Sequence, residues 1–583
     1  MKWGGRVAAV ALVTSSLVSV DTAPARAATT PLYSGGATFP ELAYRDLFNC
    51  YGNNSGANLP SLGTPPSATT TPVFDCTAAG FPFNPNVELL YSGVGSGNGK
   101  KAFDAHDAGL LVSGSRTPGG PDAKPQGSSG DFGPFFGQTS GVQSFPGAHD
   151  PYPTFHFAGS DDPLVQSDLN KYHGVIANDD GVTVDQSVAG GAPIQFPALV
   201  SAAAVAFQPP TGTFIPKGAQ PKGGSSKVQF SRKTWCGIFT GNITDWNDAS
   251  ITADNKGTSI TGGVSKPISV VYRSDGSGTT FIFSNAVIHQ CGNASHHDAE
   301  LNPDGSHPNG FYVPDAWLTA QHNTISKDPN IPTNPADPAF HSNNDFFLNL
   351  DGTHQAAADV PGSALLPTNF IGKSGNGGIQ AFMDLPAQAG AIGYLSQGFT
   401  RAFAATDSGG NPTPLAANLQ SWANVVAVVG GVTTTKKYIA PTVASATAVM
   451  AKAVAPSTKA ACPGPQCFTD PLAWGATDPL PLAGTAFPIG GFTFIDTYTC
   501  VADSNTLAAL VGPTAGTAGY FTWYYGATTV NAGIPKSVLA HDGASPVPGP
   551  WISAIKKLIL TNGPTKIALG NTAKTGCVGH AGL

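Results

Sequence analysis

Residues 270–287 read VVYRSDGSGTTFIFSNAV: an apolar extended segment ending at Arg273, a turn of small and hydroxyl-bearing residues, then an apolar stretch of helical character. The same design recurs along the chain. VELLYSG (87–93) leads through VGSGNG (94–99) into KKAF, and TFHFAG (154–159) leads through SDDP (160–163) into LVQSDLNKY. Near the start, PLYSGGATF (31–39) enters PELAYRDLFNCY (40–51). There Pro40 suits a first helical turn because it has no N–H to leave unpaired, and Ala43, Leu47 and Tyr51 fall on one helical face. Strands alternating with helices predict α/β domains with mainly parallel sheets. In such sheets ligands bind at the C-terminal ends of strands, where the helices begin.

The 583 residues exceed one ordinary core and imply about two to four domains. Only 11% are charged, whereas 41% are apolar and 71 Gly and 50 Pro mark many turns, the signature of a loop-rich globular chain. Against 36 acidic side chains stand 29 basic ones, a net charge of −7 with no basic stripe, which excludes nucleic acid as the expected partner. Any bound anion must be attracted by a local arrangement.

Residues 1–27 read as a secretory leader: Lys2 and Arg6, an apolar stretch from Val7 to Val20, and APARA ending at Ala27. That stretch is shorter than the roughly 20 residues a membrane span needs. Export, to the periplasm or beyond the cell, is the expectation. Eight cysteines in an exported chain suggest disulfides. Sequence leaves their connectivity open; the pairing expected is Cys50 with Cys76, Cys236 with Cys291, Cys462 with Cys467, and Cys500 with Cys577. No CxxC occurs, so neither a metal site nor a cofactor is expected.

Two apolar extended runs far apart, FPALVSAAAVAFQ (196–208) and FPIGGFTFIDTYTC (487–500), each begin with Phe-Pro and are predicted to cross between two lobes. With both crossing, residues 28–198 and 488–583 form one lobe and 199–487 the other, leaving a cleft and a two-stranded hinge. Three stretches, 53–86, 106–154 and 293–367, are rich in Pro, Gly, Ser, Thr, Asn and His and read as insertions. The last carries six of the seven histidines found between His289 and His354, including His296 and His297, and reads as a solvated loop.

The four turns present unpaired backbone N–H groups at helix starts, where the macrodipole favours anions. Thr38, Ser96, Ser277 and Thr279 add hydroxyls, Gly278 permits close approach, and Arg273 adds a planar charged fork suited to a tetrahedral oxyanion. Asp161 and Asp275 are then the puzzle, because carboxylates repel anions. A carboxylate is useful when the guest carries a proton: hydrogen phosphate does, sulfate does not. A site built around a ligand hydroxyl rejects an analogue lacking it by roughly 10^4-fold or more. Asp275 can instead orient Arg273 through a salt link. Singly, each turn also reads as an ordinary tight turn, N-cap or surface ion pair. GSGNGKK and IGKSGN both miss the Walker spacing, and no G-x-S-x-G hydrolase elbow occurs.

Five motifs, SGGATFP, YSGVGSGNG, FAGSDDPL, YRSDGSGTTFIFSN and LPAQAGAIGYLSQGF, in that order, resemble the phosphate-binding protein of the bacterial ABC phosphate importer and its exported relatives, the DING proteins. GIFTGNITDWND (237–248) and SGNGGIQAFM (374–383) are similar to that family's second lobe. The resemblance covers about 300–350 residues and leaves the insertions outside. It implies a two-lobed, class II periplasmic-binding-protein fold and a monomeric, non-enzymatic protein that carries inorganic phosphate to an ABC permease. It also implies phosphate contacts from Thr38, Phe39 (through its backbone), Ser96, Asp161, Arg273, Ser277, Gly278 and Thr279, with Asp275 supporting Arg273. Gly97 departs from the pattern, standing where a second serine is common. Two other readings of the same residues are a phosphatase using this cradle and an exported binding or adhesion protein acting through the insertions.

Overall fold

The structure, a computed structural model, describes residues 30–52, 74, 83–111, 153–212, 227–291, 368–403, 412–423, 428–429, 432–433, 437–458, 467–475, 481, 483–512, 517–526, 533–561, 564–573 and 575–583. The expected leader over 1–27, the histidine-rich stretch 293–367 and most of the other two insertions lie outside these described residues.

The first half alternates strands and helices: β1 (Thr30–Gly36), α1 (Glu41–Tyr51), β2 (Val87–Gly93), α2 (Ser96–Ala105), β3 (Phe157–Ser160) and α3 (Gln166–Tyr172). A long strand, β4 (Pro193–Phe207), follows. The middle of the chain repeats the scheme with α4 (Arg232–Phe239), β5 (Ser269–Arg273), α5 (Gly278–Cys291), β6 (Phe370–Lys373), α6 (Gly375–Met383) and β7 (Ala391–Ser396). The C-terminal part contributes β8 (Gly490–Tyr498), α7 (Ile534–His541), β9 (Ala544–Pro546) and α8 (Gly549–Leu560).

Among the described residues ten strands form one sheet, in the order β2-β1-β3-β8-β4-β7-β5-β6, with β9 and Leu415–Ala416 pairing along β4. Its two ends are parallel, as the alternating pattern predicts: β1 runs with β2 and β3, and β5 with β6 and β7. Its centre is antiparallel, because β4 and β8 return the chain between the two ends. All 15 residues of β4 are buried, which is why it reads as a continuous apolar run without alternation. β4 pairs with β8 from Pro193 to Ala202, then with β7 from Ala203 to Phe207. One strand thus belongs to both ends of the sheet.

Pro197 in mid-strand has no N–H for a ladder, and the register slips at its partner, between Thr493 and Phe494. The carbonyls exposed by that bulge are satisfied from outside: Tyr525 Oη donates to Pro197 O and Tyr524 Oη to Ala198 O, each at 2.9 Å.

Two cores lie along the sheet. One gathers Leu32, Phe48, Leu89, Phe157, Leu199, Phe492 and Ile555, and the other Val205, Phe207, Trp246, Val270, Phe283 and Tyr394. Phe487 and Ile489 belong to the second core, yet Phe492 and Phe494 belong to the first, so the chain changes sides just before β8. Phe39 packs into the second core, and Leu42, one turn on, joins Ala206, Val271, Leu395 and Phe399. The start of α1 therefore reaches across from the first half.

Disulfides join Cys236 to Cys291 and Cys500 to Cys577, as expected. Cys50 and Cys467 are also disulfide-bonded; their expected partners, Cys76 and Cys462, lie outside the described residues. No helix among the described residues is long and apolar enough to cross a membrane.

Candidate functional site

The four turns, spread over some 240 residues of sequence, converge where the two halves face each other. Thr38, Ser96, Asp161, Arg273, Ser277 and Thr279 are each at most 2% exposed. Parallel pairing brings the first three turns together, because β1, β2 and β3 end side by side at Gly36, Gly93 and Gly159. Val94 and Gly95 N–H donate to Gly36 O, and Ala37 N–H to Gly159 O, at 2.7–2.9 Å. Gly95 adopts φ +97°, which a residue with a Cβ rarely does. A Cβ there would also lie 2.6 Å from Gly276 O, in the turn after β5.

That fourth turn closes the arrangement. A Cβ on Gly278 would meet Ser96 Oγ and lie 2.6 Å from Asp161 Cβ and from Asp162 N. The N-terminus of α5 is thus pressed against the second and third turns. Phe281 N–H donates to Ser277 O, and Thr280 N–H to Ser277 Oγ at 3.2 Å, which leaves the first N–H groups of the helix directed beyond its end.

Arg273 is held from below. Asp275 engages its fork twice, Nε to Oδ1 at 2.7 Å and Nη2 to Oδ2. Asp275 Oδ1 also accepts Gly375 N–H at 3.1 Å. Burial opposes the guanidinium charge, but Asp275 in contact, with Tyr394 and Asp161 nearby, raises its pKa above the ordinary range. Arg273 is therefore a permanent cation in a buried setting.

Of the adjacent acids, Asp162 is paired with Lys100, which also lies 3.4 Å from Asp168. Asp161 instead accepts Thr493 Oγ1–H on Oδ1 at 2.6 Å, while its own N–H donates to Ser96 Oγ at 3.1 Å. Below it, Tyr91 Oη donates to Ala37 O at 2.7 Å and supports the first turn.

Two residues not singled out from sequence join the group. Asn376, at the start of α6, donates from Nδ2 to Thr38 Oγ1 at 3.0 Å and to Thr279 Oγ1 at 3.1 Å. Its signal was the GKSGNGG turn after β6, a fifth unit of the recurring strand–turn–helix design. Thr493 had no such signal, because it sits in mid-strand.

The four hydroxyls have one feature in common. Each already accepts a hydrogen bond: Thr38 from Asn376, Ser96 from Asp161, Ser277 from Thr280, and Thr279 from Arg273 and Asn376. None donates to a protein acceptor among the described residues. Four buried O–H donors, a buried cation and a helix N-terminus suit a small guest with several acceptor oxygens.

Among the described residues one group, Asp46, His541 and Asp542, brings three potential metal ligands within 4.8 Å of one another. His541 Nδ1 lies 3.0 Å from Asp542 Oδ1 and 3.5 Å from Asp46 Oδ2, a compact ion-pair cluster between α1 and the end of α7.

A family model described as a PBP superfamily domain matches residues 67–449. The chain belongs to the PBP superfamily. This PBP-superfamily chain has the two-lobed α/β architecture of that fold. A protein named phosphate-binding protein, from an unknown prokaryotic organism, is 24% identical over 454 residues, 76% of this chain and 91% of that one. Alkaline phosphatase L of Pseudomonas aeruginosa is 25% identical over 519 residues, 88% of this chain and 89% of its own. Among solved structures, the ancestral soluble variant of the Human Phosphate Binding Protein superposes with a TM-score of 0.51 at 20% identity, over 95% of this chain and 99% of that one. That likeness concerns the fold.

Proposed function

We propose that the protein captures inorganic phosphate between its lobes and presents it to an ABC permease. The observation that carries this reading is the set of four buried hydroxyls, each already accepting and each left with a proton to donate, gathered with Arg273 and Asp161. Thr38, Ser96, Ser277 and Thr279 would donate to phosphate oxygens, as would the backbone of Phe39 and Gly278. Arg273, held by Asp275, supplies charge. Asp161 is the acceptor for the proton that hydrogen phosphate carries and sulfate lacks.

In this reading one lobe comprises 28–198 and 488–583 and the other 199–487, and hinge closure completes the hydrogen-bond shell. The protein works as a monomer, in the periplasm or secreted; its disulfides suit an oxidising compartment. Titration calorimetry tests the reading: heat with phosphate and a roughly 10^4-fold weaker response to sulfate are expected, and equal affinity for the two anions would reject it.

The name of the Pseudomonas aeruginosa relatives favours a second reading, hydrolysis of phosphate monoesters. It requires an activated nucleophile, and among the described residues the cradle serines accept backbone N–H groups while neither donates its hydroxyl proton to a base. Turnover of p-nitrophenyl phosphate that disappears with Arg273→Ala would establish it.

A further inference from the structure

The orientation of one side-chain amide determines how two of the cradle hydroxyls meet a guest. Asn376 Oδ1 accepts Ser396 N–H at 2.9 Å. A backbone N–H can only donate, so the oxygen side of the amide is fixed and Nδ2 must face the two threonines. Thr38 Oγ1 receives Asn376 Nδ2 at 3.0 Å and Asn376 N at 3.1 Å. Thr279 Oγ1 receives Asn376 Nδ2 at 3.1 Å and Arg273 Nη1 at 3.2 Å.

A hydroxyl oxygen has two lone pairs and one proton. With both lone pairs occupied, each threonine can act toward a guest only as a donor. The same amide also joins the halves, because Thr38 follows β1 whereas Thr279 and Asn376 begin α5 and α6. Asn376 is buried, so water cannot take over these bonds.

We infer that Asn376 is a positioning residue that locks the Thr38 and Thr279 hydroxyls as donors across the cleft, so that both protons are aimed at acceptor oxygens of the guest. The inference rests on the phosphate-capture reading.

The test is a double-mutant cycle read by calorimetric titration with inorganic phosphate. Asn376→Ala is expected to weaken binding about 10- to 100-fold in the otherwise native protein, but less than about threefold where Thr38→Val and Thr279→Val are already present. Asn376→Asp fills the same space and can still accept Ser396 N–H, but presents an acceptor to the threonines. It should lose more than the alanine variant, and its residual loss in the valine background reports charge alone. Equal fold-losses in both backgrounds, or no loss from either substitution, would overturn the inference while leaving phosphate capture intact. Absence of phosphate binding by the native protein would remove the parent reading and this inference with it. Should Asn376→Ala fail to fold, the aspartate variant alone completes the cycle.

Discussion

Thr493 Oγ1 donates to Asp161 Oδ1 at 2.6 Å, across 332 residues of sequence. Thr493 stands in β8 opposite the bulged part of β4, where the register slips, and both residues are buried. The bond holds the carboxylate in one rotation about its axis. Thr493→Val should therefore weaken phosphate binding about 5- to 20-fold, the worth of one hydrogen bond to a charged group, and narrow discrimination against sulfate. Asp161→Asn should narrow that discrimination much further, because an amide can donate to either anion. Parallel titrations with the two anions read both effects; unchanged ratios in both variants would misplace the acceptor.

Arg273 is expected to dominate affinity. Arg273→Ala removes a buried cation whose fork is held by Asp275, and a loss of about 100-fold or more in phosphate affinity follows from the strength of charge-assisted bonds. Arg273→Lys should recover little, since an ammonium cannot engage Asp275 and Thr279 together in the planar geometry seen here. Calorimetry on the three proteins checks the ordering.

Gly278→Ala separates folding from closure. The added methyl would strike Ser96, Asp161 and Asp162, all contributed by the opposite half. The halves can avoid the clash by standing apart, so the thermal midpoint should change little while phosphate affinity falls at least about tenfold. Small-angle scattering with saturating phosphate should show less compaction than the native protein. Full compaction and native affinity would contradict the packing described.

Stability should decline on the alkaline side through His541. Hydrogen bonds to Asp46 and Asp542 raise its pKa from 6.5 to about 10. A base whose folded pKa is raised contributes stability that is complete below the unfolded value and is lost as pH climbs through the folded one. Burial, with the neighbouring Asp46, likewise raises Asp542 from 3.8 to about 7, so its contribution is lost earlier, between about pH 4 and 7. Through His541 the thermal midpoint should continue to fall between about pH 6.5 and 10. His541→Asn should flatten that slope above neutrality and cost on the order of 3 kcal/mol near pH 7, because it leaves two buried carboxylates facing each other. Thermal denaturation across the pH series measures both.

Local chemistry made much of this protein legible. The strand–turn–helix units follow from glycine, hydroxyl and apolar runs in series; each turn alone also fits an ordinary tight turn or cap, and it is their recurrence that singled out Thr38, Ser96, Asp161, Arg273, Ser277, Gly278 and Thr279, which the fold brings together. The Cys236–Cys291 and Cys500–Cys577 bonds agreed with expectation as well. Other features depend on which distant backbone lies alongside, and no period or motif encodes that. The all-buried β4 has no alternation to indicate its faces, and its antiparallel partners come from both ends of the sheet. Thr493 orients Asp161 from 332 positions away, and Asn376 reaches Thr38 from 338. A hydroxyl's role as donor or acceptor is set by what its lone pairs meet, and those neighbours exist only once the sheet has brought the turns together.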